Sequence, residues 1–136
     1  SWMARLREHL DTDSRPEDDV VVTGDFNIAP DDRDVWDPKQ FVGATHVSDA
    51  ERDALREVCG FGLEDTFRRF TQDGGVFSWW DYRGGAFHKK QGMRIDLVLA
   101  SKSVAGRAVS STIDREARKG EKPSDHAPVV LEIGDK

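Results

Sequence analysis

Short apolar segments separated by polar turns run along the whole chain, and most of them have the composition of β-strands. Valine fills positions 20–22, and β-branched residues and leucine dominate 129–133, as they do in the strands of a protein core. The same pattern predicts strands over 77–80, 93–100, 108–113 and 127–133. Strands are therefore expected to outnumber helices in the later part of the chain.

Two segments carry a helical pattern instead. In the first, apolar residues recur at four-residue spacing at Trp2, Leu6 and Leu10. In the second, Ser48 and Glu51 form a capping box that starts a helix ending at Gly60. The residues of this helix expected to face inward are Ala54, Leu55 and Val58. The acidic stretch 30–34 carries turn residues and is predicted to be a loop.

Polar side chains stand where two of the strands end or begin. Gly24-Asp25-Phe26-Asn27 follows one strand, and Ser124-Asp125-His126-Ala127-Pro128 precedes another. In an extended strand Asp25 and Asn27 would point to the same face, whereas a simple turn, which also prefers Gly, Asp and Asn, would not require it. Acids, an amide and an imidazole on rigid strand ends suit a site that binds a hard cation and attacks a phosphate. The pattern favours a metal-dependent phosphodiesterase.

A charged residue inside an apolar strand adds a second clue. Asp96 lies within Arg94-Ile95-Asp96-Leu97, and a buried carboxylate is costly unless it is paired. His126 is a chemically suitable partner for it. Taken alone, Asp125-His126 could equally be a helix cap with a hydrogen-bonded histidine. A contact between Asp96 and His126 would favour the site over the cap.

Bulk composition sets limits without choosing a function. The chain has 136 residues, 37% of them apolar, which is enough for one domain with a modest core. No apolar segment approaches the roughly 20 residues of a membrane span, and no signal-peptide pattern is found. We therefore expect a cytoplasmic protein with no membrane partner. The single cysteine, Cys59, excludes an internal disulfide and a cysteine-rich zinc site.

Charge is distributed unevenly along the chain. The net charge is −6, but residues 1–65 hold 17 acidic and 7 basic side chains, while residues 66–136 hold 9 acidic and 13 basic ones. Within 83–107 the only acid is Asp96, and the bases are Arg83, Lys89, Lys90, Arg94, Lys102 and Arg107. Such a segment could contact a phosphate backbone. The alternative is a solvated loop, which charge alone would favour.

Four motifs carry a resemblance to a known family. They occupy segments 24–30, 77–83, 94–101 and 121–128. Their order and approximate spacing resemble those of the bacterial exonuclease III family, the abasic-site endonucleases of the endonuclease/exonuclease/phosphatase superfamily. The resemblance covers nearly the whole chain, but the chain covers only about the carboxyl-terminal half of that family's fold.

The resemblance implies a role for each polar residue of the motifs. Asp25 resembles the acid that positions or deprotonates the attacking water, and Asn27 the amide that holds the scissile phosphate. His126 resembles the group that donates to a phosphate oxygen, with Asp96 orienting its ring. Asp125 resembles a metal-site carboxylate, and Asp25, Asn27 and His126 are further candidate ligands. Magnesium, with manganese as the alternative, is the cofactor that such oxygen ligands favour.

The resemblance also implies contacts to DNA. The residues that resemble a pocket for an extruded abasic sugar are Trp79, Trp80, Met93 and Ile95. The basic residues expected to contact the backbone are Arg83, Lys89, Lys90 and Arg94. The alternative for a Trp-Trp pair in a strand is a place in the core. Strict alternation would also place Met93 and Ile95 opposite Asp96, so both roles require a strand end or bulge near them.

The implied fold is α+β: half of a four-layer α/β-sandwich of the DNase I type, mainly one mixed or antiparallel sheet with flanking helices. Residues 1–136 would be the carboxyl-terminal half of the domain, with the amino-terminal half as a partner. The implied function is metal-dependent hydrolysis of duplex DNA at abasic sites and from 3′ ends, in DNA repair. The alternatives are a noncatalytic fragment, or a related phosphodiesterase acting on RNA or a phospholipid head group. Half of a sandwich would expose an apolar sheet face.

Overall fold

Short helices and strands alternate along the computed structural model, which describes residues 2–81, 85–119 and 124–135. The helices are α1 (Trp2–Asp13), α2 (Asp49–Cys59), α3 (Phe67–Phe70) and α4 (Lys102–Ala105). The strands are β1 (Val21–Asp25), β2 (Leu63–Asp65), β3 (Trp79–Trp80), β4 (Gly92–Met93), β5 (Asp96–Ser101), β6 (Ala108–Ile113) and β7 (Val129–Ile133). Single 3-10 turns occur at Asp32–Asp34, Pro38–Gln40 and Arg115–Lys119. No helix of these described ranges is long and apolar enough to cross a membrane.

The strands pair antiparallel in three small sheets. In the largest, β5 lies between β1 and β2, while β3 pairs with β4 and β6 pairs with β7. The α+β class is confirmed, but the described strands are divided among these sheets rather than gathered mainly in one. One reason is that the predicted strand 93–100 is interrupted at Arg94 and Ile95, which separate β4 from β5. The sequence pattern did not predict three short elements, β2, α3 and α4, which have three or four residues each.

The main core lies between the β1–β5–β2 sheet and helices α1 and α2. Its buried side chains are Met3, Leu10, Phe26, Ile28, Leu55, Val58, Phe61, Leu63, Leu97 and Leu99. The capping box of α2 is confirmed, since the Ser48 hydroxyl accepts from the Glu51 backbone N–H at 3.2 Å and donates to its carboxylate at 2.7 Å. On α1, Trp2 remains 52% exposed and Met3 fills the core instead.

The stretch 30–34 is not the solvated loop that its composition indicates. It forms a 3-10 turn, and its last residue, Asp34, is completely buried. There the Asp34 carboxylate accepts from Arg94 Nε at 2.7 Å and from Arg68 Nη2 at 2.5 Å. Arg94 also reaches Asp65 at the end of β2, with Nη1 3.0 Å from Oδ1. These ion pairs tie the turn to β2 and to the junction between β4 and β5.

Apolar side chains are exposed on strands of two sheets. Their exposed fractions are 47% for Val21 on β1, 57% for Val109 on β6, and 46% for both Val130 and Ile133 on β7. Strands normally bury such residues against a second layer of structure. No second layer covers these positions within the described residues.

Candidate active site

Strand pairing brings the two aspartates of the site together. Asp25 ends β1 and Asp96 begins β5, and the two residues are direct partners in the antiparallel register. His126 lies just before β7 and forms an isolated bridge with Trp79 of β3. Three segments that are far apart in sequence therefore meet at one edge of the largest sheet.

The imidazole of His126 is placed between carboxylates. Its Nδ1 lies 2.8 Å from Asp96 Oδ2, a hydrogen-bond distance. Its Nε2 lies 3.6 Å from Asp25 Oδ2 and 3.8 Å from Asp125 Oδ1. The predicted pairing of Asp96 with His126 is confirmed. Because one ring nitrogen is held by Asp96, the other is directed at the two remaining acids.

The surroundings of His126 favour its charged form. Burial alone would lower the pKa of His126, but the hydrogen bond that its Nδ1–H donates to Asp96 and the negative charges of Asp96, Asp25 and Asp125 outweigh it, so the pKa of His126 is raised above its ordinary value. Burial also raises the pKa of Asp96, against the lowering effect of its hydrogen bonds to His126 and Ser78. The two side chains of this pair are partly exposed at the protein surface, 29% of His126 and 12% of Asp96.

Asn27 lies in a turn after β1 and not in an extended strand. Strand β1 ends at Asp25, and Asn27 has a left-handed backbone with φ of 55°. The Asn27 backbone N–H donates to Asp25 Oδ1 at 2.9 Å, closing a tight Asx-type turn. The expectation that both side chains point to one face of a strand is therefore wrong. His46, which the sequence did not indicate, donates from Nδ1 to the Asn27 carbonyl oxygen at 2.6 Å.

The donor set fits a divalent cation. One oxygen or nitrogen atom each of Asp25, Asp96 and His126 lies within 4.8 Å of the others. Asp125 adds a further carboxylate, whose Oδ1 lies 3.8 Å from His126 Nε2. The indole N–H of Trp79 donates to Asp125 Oδ2 at 3.2 Å. Carboxylate oxygens are the ligands that hard cations prefer. A divalent cation would also neutralise the repulsion between these neighbouring acids.

An aromatic cavity lies beside these acids. It has a volume of about 490 Å³, and its lining includes Trp36, Phe41, Ala44, Thr45, His46, Trp79, Asp81, Ala86, Gln91 and Met93. Trp79 joins the cavity to the acids through its bond to Asp125. Two of its residues, Trp79 and Met93, are among those predicted from the motifs. The residues of 36–46 have no periodic pattern, and only the fold brings them here.

Several predicted DNA contacts are excluded by burial. Trp80 is 1% exposed and packs edge-on against Phe87, because it faces the small core behind β3. Ile95 is 2% exposed and packs inside the protein, below the cavity surface. Arg94 is 1% exposed because its guanidinium is held by internal carboxylates. Contacts between these three side chains and DNA are therefore predictions that the structure contradicts.

Three further basic residues were predicted to contact the DNA backbone. Lys89 and Lys90 are exposed in the segment before β4, where they remain candidates for backbone contacts. Arg83 lies outside the described residues.

A second cavity, of about 500 Å³, is lined by residues such as Lys39 and Arg52 and lies away from the acids of the site.

The chain belongs to the endonuclease/exonuclease/phosphatase family, whose sequence model matches residues 1–126. It is 35% identical to exodeoxyribonuclease III of Haemophilus influenzae, over 97% of this chain and 52% of that protein. The structure of the 3′ phosphatase NExo from Neisseria, bound to a product DNA hairpin, superposes with a TM-score of 0.92 at 38% identity, over 98% of this chain and 52% of that one. An AP endonuclease from Archaeoglobus fulgidus superposes with a TM-score of 0.89 at 31% identity, over 97% and 52%. The chain spans about half the length of the curated relatives it matches.

Proposed function

We propose that the protein is a DNA-repair nuclease that hydrolyses phosphodiester bonds at abasic sites and removes nucleotides from 3′ ends of duplex DNA. The observation that carries the proposal is the position of His126, which is bonded to Asp96 on one side and faces Asp25 and Asp125 on the other. The names of the relatives, an exodeoxyribonuclease III and an AP endonuclease among them, support the same substrate class.

Each polar side chain would have a distinct task. Asp25 accepts a proton from the attacking water, and Asn27 donates from its amide to the scissile phosphate. His126, kept charged by Asp96, donates to a phosphate oxygen as negative charge develops there. Asp25 and Asp125 would hold a divalent cation, with Mg²⁺ the best match to oxygen ligands. When bound, such a cation supplies charge neutralisation at the phosphate.

The cavity gives the proposal its link to damaged DNA. An abasic position costs little to extrude from the duplex because it has no base to unstack. Trp79 supplies apolar surface for the extruded sugar beside the Asp125 carboxylate that it contacts, and the buried Met93 supports the cavity wall from below. Lys89 and Lys90 are exposed at the same β3–β4 connection and would contact the phosphates that flank it.

We further propose that residues 1–136 act as the carboxyl-terminal half of the catalytic domain, together with an amino-terminal half. The length match to about half of each relative supports this. Apolar residues exposed on β1, β6 and β7, which are Val21, Val109, Val130 and Ile133, are candidates for burial by the complementary half. The 136 residues alone should self-associate and show no Mg²⁺-dependent cleavage of abasic DNA.

The test is cleavage of a duplex with one abasic site by the 136-residue chain, alone and joined to the amino-terminal half of a close relative. We expect turnover only in the joined protein, abolished by chelator and by His126→Ala. The matched control is His9→Ala, because His9 is an exposed histidine on α1 that also pairs with an aspartate, Asp13. Preferential turnover of RNA or of a phospholipid head group would overturn the proposed substrate. Binding without turnover in the joined protein would indicate a noncatalytic module.

A further inference from the structure

Ser78 is a completely buried residue whose hydrogen bonds connect three segments that border the proposed site. Its backbone N–H donates to the Met93 carbonyl at 3.0 Å, and its carbonyl accepts from the Ala127 N–H at 2.7 Å. Met93 lines the cavity, and Ala127 follows His126 directly. The main chain of Ser78 therefore spans the distance between the cavity and the segment that carries the imidazole.

The hydroxyl of Ser78 completes this arrangement at the break between β4 and β5. Its Oγ accepts from the backbone N–H groups of both Ile95 and Asp96, each at 3.0 Å. A serine hydroxyl has two acceptor lone pairs and one proton. With both lone pairs used by these amides, the hydroxyl holds the main chain in place where β5 begins.

We propose that Ser78 is a positioning residue of the active site, whose hydroxyl holds the backbone of Asp96 at the position from which the Asp96 carboxylate orients His126. The inference deepens the proposed function and rests on it, because orienting His126 matters only if that ring takes part in the reaction. Ser78 also explains how the strand can break at Ile95, since its hydroxyl replaces the ladder bonds that Ile95 and Asp96 would otherwise make.

Ser101 provides a matched control at the other end of the same strand. It is also completely buried, and its Oγ accepts a backbone N–H, that of Val20, at 3.0 Å. Ser78→Ala and Ser101→Ala thus remove the same group from equally buried places, and both should lower stability. Only Ser78→Ala should change His126.

The first measurement is made by NMR on the joined nuclease, in which both halves of the domain are present, and does not depend on activity. In the wild type we expect a downfield Nδ1 proton on His126 and slow exchange of the Ile95 and Asp96 amides. Ser78→Ala should remove the downfield signal and speed exchange at both amides by about tenfold or more, because two buried donors lose their acceptor. Ser101→Ala should leave both unchanged. An unchanged Nδ1 signal in Ser78→Ala, or an equal change in Ser101→Ala, would overturn the proposal.

Two further variants keep the test informative if Ser78→Ala does not fold. Ser78→Thr retains the hydroxyl and should retain the Nδ1 signal, whereas Ser78→Cys has nearly the same size but a weak acceptor and should lose it. In the joined nuclease, Ser78→Ala should lower kcat about tenfold to a hundredfold with KM little changed, since only the orientation of a catalytic group is affected. Loss of the Nδ1 signal with no change in kcat would refute the proposed role of His126 while leaving the contact itself established.

Discussion

Two clusters of charged side chains are centred on residues that are only two positions apart, Arg94 and Asp96, and they differ in what their charges contact. The internal cluster joins Arg94 to Asp34 and Asp65, and its carboxylates are satisfied by guanidinium groups. The site cluster joins Asp96 to His126, whose second nitrogen faces further acids across gaps of 3.6 and 3.8 Å. The first cluster is closed and holds the fold together. The site cluster has an excess of negative charge on its exposed side, which a cation and a phosphate could approach.

The largest difference between the clusters should appear when the same substitution is made in each. Asp25→Asn in the joined nuclease removes the proposed proton acceptor, and we expect turnover to fall by about 10²–10⁴-fold. Stability and DNA binding should remain near those of the wild type. Single-turnover cleavage and equilibrium binding to an abasic duplex measure the two effects separately. Lost binding with an unchanged single-turnover rate would contradict the role given to Asp25.

Asp34→Asn should show the opposite behaviour. It removes the charge that faces Arg94 and Arg68 in a place with no exposure to water. Breaking a buried pair in this way costs about 3–5 kcal/mol of unfolding free energy. Urea unfolding of the joined protein measures the loss, and Asp32→Asn, on the exposed side of the same turn, is the control. A variant as stable as the control would mean that the internal cluster does not hold the fold.

Sequence alone could predict most of the site cluster but none of the internal one. Asp25, Asp96 and His126 lie in short motifs, and a carboxylate inside an apolar strand indicates a partner. Arg94 lies in an equally apolar segment, yet it was predicted to contact DNA. The carboxylates that pair with Arg94 lie in a 3-10 turn and in a three-residue strand. Neither segment has a hydrophobic pattern that predicts whether it is buried. Tertiary structure decides which way a charged side chain faces at a strand break.

Within the site cluster, Asp96 and His126 should behave as one unit. Asp96→Asn is expected to lower turnover less than His126→Ala does, because the ring survives but loses the carboxylate charge that orients it and stabilises its charged form. The double variant should then be little worse than His126→Ala alone. A double-mutant cycle on kcat/KM makes the comparison. Additive losses would show that the 2.8 Å contact has no part in the reaction.

The pH dependence of stability should also separate the clusters. The folded pKa of His126 is raised, so its contribution to stability is fully present below the unfolded value of 6.5 and is lost as pH rises through the folded pKa. The stability difference between the wild type and His126→Gln should therefore be greatest in mild acid and shrink above neutral pH. Chemical unfolding at several pH values tests this. A stability difference that stays the same at every pH would contradict this assignment.

The smallest effect is expected for a pair that belongs to neither cluster. Lys119 Nζ lies 3.0 Å from Glu116 Oε1, with 52% and 75% of these side chains exposed. Water screens such a pair, so Lys119→Ala should change the unfolding free energy by less than about 1 kcal/mol, and added salt should erase even that. The same urea titration used for Asp34→Asn gives the value on a common scale. A loss comparable to that of Asp34→Asn would mean that burial is not what distinguishes the internal cluster from the rest of the protein's ion pairs.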